Sequence, residues 1–322
     1  MYVCCLLLHL LLSTPSPAPA TAPAPLPAPQ ALYLSDDLGN SWTTYTEGLP
    51  AGALAMDLAE IGGDLYLSTD RHGFFRLPAG DCVWVPFESG LPDAKEVSFT
   101  ALAGTPELLA LATFQNGVYF SRDRGATWHR PALNLDGVIT LSLTFHDGVL
   151  YAGTDQGVYQ YMTATGLFSP VGEERFAVYG LLSHAAGLVV ARQNGFGLLR
   201  DGRIAWADAH TKSAVIQLFT EGDQTYALTA AGTIYRSADL IQWYTPSGPA
   251  PTLADAKNRD ASTYLAAGFH APSCSVVNGR PALGEALWHG WRPALPAELR
   301  EGMSTRVRAT GRGWMVLVRG GC

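Results

Sequence analysis

The stretch that most limits what this chain can become is Ser121-Arg122-Asp123-Arg124-Gly125-Ala126-Thr127-Trp128. It returns as Ser35-Asp36-Asp37-Leu38-Gly39-Asn40-Ser41-Trp42 and, one residue shorter, as Ser237-Ala238-Asp239-Leu240-Ile241-Gln242-Trp243. The pattern has a mechanical reading. An Asp carboxylate accepts backbone N–H groups of a tight turn, and a Gly supplies a φ > 0 position that other residues adopt at a cost. The Trp then opens a strand and buries a large ring against a neighbour. On this reading Ser35, Asp37, Gly39, Trp42, Ser121, Asp123, Gly125, Trp128, Ser237, Asp239 and Trp243 are structural: they form turns and do no chemistry.

Around these turns a longer unit recurs at intervals of roughly 40 residues, the spacing of an architecture built by radial repetition. Its clearest copy runs from Val138 to Gly172. Val138 to Phe145 alternates apolar and small polar residues, as a strand does. His146-Asp147-Gly148 makes a turn, Val149 to Thr154 a second strand, Asp155-Gln156-Gly157 another turn, Val158 to Met162 a third strand and Leu167 to Val171 a fourth. Copies of the second strand stand at Leu65–Thr69, Leu109–Thr113, Thr225–Thr229, Thr263–Gly268 and, more divergent, Leu188–Arg192. Fourth-strand aromatics follow at Trp42, Trp84, Trp128, Phe168, Trp206, Trp243 and Trp288 or Trp291.

Four short antiparallel strands per unit describe one blade of a β-propeller. The opening blade, from Ala31, holds only a third and a fourth strand. Thr305–Ala309 and Trp314–Val318 supply its missing first and second. The prediction is an all-β, seven-bladed β-propeller over residues 31–322, its ring closed by strands from both termini so that no sheet edge stays free. The last internal blade, Ala250 to Ala294, is the least regular.

Composition agrees with many strands and turns: 15% charged residues, 34 Gly and 21 Pro. The formal net charge of −7, with no Lys/Arg cluster, argues against nucleic-acid binding. Residues 1–12 carry an apolar run from Val3 to Leu12 that is too short to span a bilayer and has the length of an export-signal core. No basic residue precedes it, the first being Arg71. Residues 13–30 form a Pro/Ala spacer. An exported protein without a transmembrane helix is expected, and a monomer. Cys82, Cys274 and Cys322 follow the spacer, and an odd count allows at most one internal disulfide, which spacing does not choose. No metal-ligand spacing and no cofactor motif is present, and standard catalytic signatures are missing.

In such a fold the turns divide between two faces. The turns between second and third strands share one face with the links between blades. That face collects Asp70, Arg71, His72, Gln115, Asn116, Asp155, Gln156, Arg192, Asn194 and His270 as candidate ligand-binding residues, with Gln193, Lys95, Glu96, Glu173, Glu174, Arg175, His210 and Lys212 nearby. Asn, Asp and Gln beside Gly are also ordinary turn chemistry. A polar ligand, a glycan or a partner protein is the expected occupant.

The Ser-x-Asp-x-Gly-x-Thr/Ser-Trp stretches resemble the Asp-box (BNR) repeat. With Leu-Tyr-Ala-Gly-Thr-x-x-Gly-Val-Tyr before them, the blades resemble seven-bladed propellers of the photosystem II assembly/stability factor type over roughly Ala31 to Cys322. Sialidases share the Asp box, and Phe75-Arg76-Leu77-Pro78 resembles their Phe/Tyr-Arg-Ile-Pro motif, whose Arg binds a substrate carboxylate. In sialidases that motif precedes the first Asp box; here it follows one, at a third-strand position. The resemblance therefore implies a non-catalytic binding or assembly scaffold, with a sialidase-like glycoside hydrolase as the alternative. Fold likeness alone does not transfer function.

Overall fold

The computed structural model describes residues 32–37, 41–87, 90–93, 96–131, 135–172, 175–207, 211, 213–231, 233–246, 283–289 and 304–319. The described residues open with β1 (Leu32–Ser35) and β2 (Thr43–Thr44). A meander of β3 (Ala55–Ile61), β4 (Asp64–Thr69), β5 (Phe74–Leu77) and β6 (Val85–Pro86) follows. Next come β7 (Phe99–Thr105), β8 (Leu108–Thr113) and β9 (Val118–Ser121), then β10 (Thr140–His146), β11 (Val149–Thr154), β12 (Gly157–Met162) and β13 (Leu167–Val171). The fifth group is β14 (Val178–His184), β15 (Gly187–Arg192), β16 (Gly195–Arg200) and β17 (Arg203–Trp206), and the sixth is β18 (Val215–Glu221), β19 (Gln224–Thr229) and β20 (Ile234–Ser237). Helix α1 (Leu283–Trp288) precedes β21 (Ser304–Thr310) and β22 (Gly313–Arg319).

Every pairing is antiparallel, and the described strands form sheets of three or four. The two ends of the chain share one of them, ordered β2-β1-β22-β21, with Tyr33 opposite Val316 and Leu32 opposite Leu317. Fourth strands are slight. They are full in β13 and β17, two residues long in β2 and β6, and reduced to single bridges at Phe120–His129 and Arg236–Tyr244. The helix is a departure from the sequence reading. Trp288, an expected fourth-strand aromatic, ends a helix, whereas Trp291 and the strand expected at Thr263–Gly268 lie outside the described residues.

The first strands β3, β7, β10, β14 and β18 each break register at one place, between Ala55 and Asp57, Phe99 and Ala101, Thr140 and Ser142, Val178 and Gly180, and Val215 and Gln217, whereas β21 pairs with β22 without a break. A bulge repeated at the same position bends each strand alike. These five first strands together line a cavity of 250 Å³, with Asp57, Ser142, Tyr179 and Gln217 as its polar residues. The sheets are thus arranged about a common axis.

Between sheets the filling is aromatic. Trp128 meets Phe74 of the preceding sheet edge-on at 5.3 Å, and Trp243 stacks on Phe196 at 4.1 Å. Trp42 and Tyr33 share an apolar cluster with Tyr226 and Ile234 of the β18–β20 sheet and with Leu283 and Leu287 of α1. The links interlock with equal economy. Gly48 (φ 90°) leaves no room for a Cβ against the carbonyl of Trp84, and Gly90 (φ 84°) repeats the contact against Trp128. Only a residue without a side chain permits this approach.

Candidate functional site

A four-stranded meander puts its 2–3 turn at the same end as the links that enter and leave it, and hydrogen bonds from the turn to the entering link fix this end. Asp70 N donates to Leu54 O, Phe114 N to Ser98 O, Asp155 N to Ile139 O and Ala230 N to Ala214 O, each at 2.8–3.0 Å. Four of the turns share a latch. The last residue of the second strand is a buried Thr whose hydroxyl donates to the carbonyl that closes the turn: Thr69 to Gly73, Thr113 to Gly117, Thr154 to Gly157 and Thr229 to Thr233.

All the candidate ligand residues except His270, which lies outside the described residues, belong to this end. Asp70 Oδ1 accepts from Ser98 Oγ at 2.8 Å, so its carboxylate ties the turn to the next link, and His72 Nδ1 lies 2.7 Å from Asp70 O. Arg71 is exposed and left-handed (φ 57°). It lines a cavity of 300 Å³ with Glu96, Ser98, Phe114, Gln115 and Asn116. Asn116 is held by its backbone: its N–H donates to Thr113 Oγ1, and its carbonyl accepts from Arg130 Nε. Arg130 in turn pairs with Asp136. The structure therefore joins Arg71, Gln115 and Asn116 in one depression. Asp155 and Gln156, exposed on the β10–β13 sheet, and Arg192 and Asn194 on the next are not part of it.

Phe114 was missed. It is 46% exposed at the rim of this cavity, an apolar residue placed directly after a strand and before a polar turn. That position was legible; its projection into a neighbouring sheet's turn was not, because Arg71 lies far away in sequence.

The Ser-x-Asp turns occupy the opposite end. Asp123 accepts from Thr127 N–H (2.8 Å), Thr127 Oγ1 (2.6 Å) and Ser121 Oγ (2.7 Å). The Thr127 hydroxyl, then its N–H, then the Ser121 hydroxyl lower this carboxyl from 3.8 to about 2. Asp239 is lowered by the N–H groups of Gln242 and Ile241. Asp37 is similarly bonded to Ser41 N and Oγ and to Ser35 Oγ. Gly39 lies outside the described residues, while Gly125 has φ 88°.

Arg76 does not face the axis. Its Nε and Nη2 donate to Asp64 Oδ2 at 2.9 and 2.6 Å, and Asp64 Oδ1 accepts from Ala79 N at 2.8 Å. The guanidinium is spent on stapling its own hairpin, so the geometry lends nothing to the sialidase-like alternative. Cys82 is disulfide-bonded, its partner lying outside the described residues.

No family model matches the chain, and no curated protein does. Solved structures are similar in fold. The extracellular domain of BT4673 from B. thetaiotaomicron aligns with a TM-score of 0.54 at 15% identity, covering 88% of this chain and 37% of that one. YCF48 bound to a D1 peptide gives 0.50 at 14%, covering 68% and 74%. The WD40 propeller domain of Doa1 gives 0.51 at 13%, covering 67% and 73%. The chain spans little more than a third of the BT4673 domain. Together with the sheets and their shared axis, these likenesses show a β-propeller fold.

Proposed function

We propose that the chain is an exported, non-catalytic, seven-bladed β-propeller, ring-closed by both termini, that binds a protein or glycan through its turn-and-link face. The antiparallel sheet shared by β1, β2, β21 and β22 supports the closure. So does the cluster that carries Tyr33 and Trp42 onto α1 and the β18–β20 sheet. The observation that carries the binding role is the depression where Arg71, Gln115 and Asn116 surround exposed Phe114. It offers a cation, two amides and an aromatic face on backbone held by strand ends, so little conformational entropy is lost on binding. The similarity to extracellular domains and to a peptide-bound propeller is in keeping with this reading.

The test is capture of ligands from glycan and peptide arrays by the purified full chain. Arg71→Ala is expected to weaken capture roughly tenfold. Gln160→Ala, at the opposite end, leaves it unchanged. Equal capture by both variants and the parent removes this face from consideration.

A further inference from the structure

Arg192 stands where the other sheets place their latch. By strand pairing it is opposite Val178 as Thr69 is opposite Ala55, Thr113 opposite Phe99, Thr154 opposite Thr140 and Thr229 opposite Val215. In those four sheets the residue is a buried Thr that closes the turn. Here it is a guanidinium that bonds to no part of its turn.

It is nevertheless held. The guanidinium carbon sits 3.9 Å from the ring centre of Trp206 and 5.8 Å from that of Phe176, and the two rings meet edge-on at 4.9 Å. Trp206 packs closely on Gly197, which has no Cβ where the indole lies. Arg192 is half-buried; its Nε is fully buried with no hydrogen-bond partner, and its terminal nitrogens make no hydrogen bond or ion pair among the described residues. Beside it, the amides of Gln193 and Asn194 are exposed.

From this we infer that Arg192 is an oxyanion subsite, built to take a carboxylate carried by the ligand. A guanidinium stacked on aromatic rings keeps its planar fork oriented, so two parallel N–H···O bonds to a carboxylate form with little ordering cost. Stacking uses the faces of the group and Nε is buried, so the two terminal nitrogens are the edge left for a carboxylate. The ring faces around it are occupied, so the subsite reads charge and not a stacked ring. The inference deepens the function above and rests on it for the direction from which a ligand approaches.

The experiment uses the full chain labelled with arginine-15N. The Nε–H resonance of Arg192 is identified by its disappearance in Arg192→Thr, which restores the latch residue of the sister sheets and keeps the fold. N-acetylglycine, glucuronate and sulfate are titrated against chloride at equal ionic strength. A saturable shift with the carboxylates, weakened roughly tenfold or more in Arg192→Lys, is the expected result. A response to N-acetylglycine alone assigns a peptide chain end, and one to glucuronate alone an acidic saccharide. No shift beyond that of chloride, or carboxylate binding to Arg192→Thr as tight as to the parent, overturns the subsite. Arg71→Ala separates the two claims. If it binds carboxylates normally while array capture stays at the parental level, the face reading fails and the subsite stands.

Discussion

Asp123 is a fully exposed carboxylate tied to three donors of its own turn. Its folded pKa of about 2 against an ordinary 3.8 means that the folded chain binds fewer protons in that range. The stabilisation is therefore complete above the ordinary value and is lost as pH falls toward about 2. Asp123→Asn keeps one acceptor for the Thr127 N–H but no charge. It is expected to flatten the acid limb in this window, followed by near-UV circular dichroism, and to lower the melting temperature at neutral pH. An unchanged acid limb would show that the turn does not depend on the charge. Leu240 poses a different balance. Three residues after its Ser it takes φ 64°, as Arg124 (φ 57°) does in the sister turn, and its N–H donates to Ser237 Oγ at 2.8 Å, the role that the Gly125 N–H fills for Ser121. A left-handed Leu costs about 1 kcal/mol, yet the side chain is 3% exposed, and such burial contributes about 2 kcal/mol. Leu240→Gly should therefore destabilise by about 1 kcal/mol in urea denaturation; a gain in stability would reverse this balance.

At the level of hairpins, Asp64 holds its sheet's third strand and outer turn at once, through Arg76 and Ala79 N. Asp64→Ala strands a guanidinium that is 21% exposed, and the expected loss is about 2–3 kcal/mol, measured by the shift of the denaturation midpoint. Arg76→Ala together with Asp64→Ala should cost less than the sum of the two, since neither partner is then orphaned. The strands of these hairpins were legible because alternation and Gly-marked turns are local. Val149–Thr154 and Leu167–Val171 were placed to the residue. What escaped was set by distant partners. Apart from β13 and β17, the outer strands shrink to one or two residues because a single Trp, packed on the previous sheet, already anchors that edge. Asp57, Ser142, Tyr179 and Gln217 meet only because five bulged strands converge. The sequence marks Arg192 as a turn residue, but its seat on Trp206 of the fourth strand, beside Phe176 of the entering link, depends on how those segments meet.

Across the whole molecule, the joint between the end-built sheet and its successor is fastened by Arg312. It is 2% exposed and donates to Tyr45 Oη, Asp81 O and Pro78 O at 2.7, 2.6 and 2.7 Å. Arg312→Leu leaves those acceptors dry, and a loss of about 3 kcal/mol is expected by calorimetry. A change below about 0.5 kcal/mol would mean that water replaces the guanidinium there. Finally, Gly48 fits beneath Trp84 and Gly90 beneath Trp128, each glycine belonging to the linker that leaves one sheet and each tryptophan to the sheet that follows. The self-contained module of this chain is consequently out of phase with the sheets one sees. A recombinant hybrid spliced at a sheet boundary would part each glycine from its tryptophan, whereas crossovers placed before the glycine and after the tryptophan transplant the lock whole. By the same reasoning, gene duplication could lengthen such a chain only in steps that carry both halves of the lock.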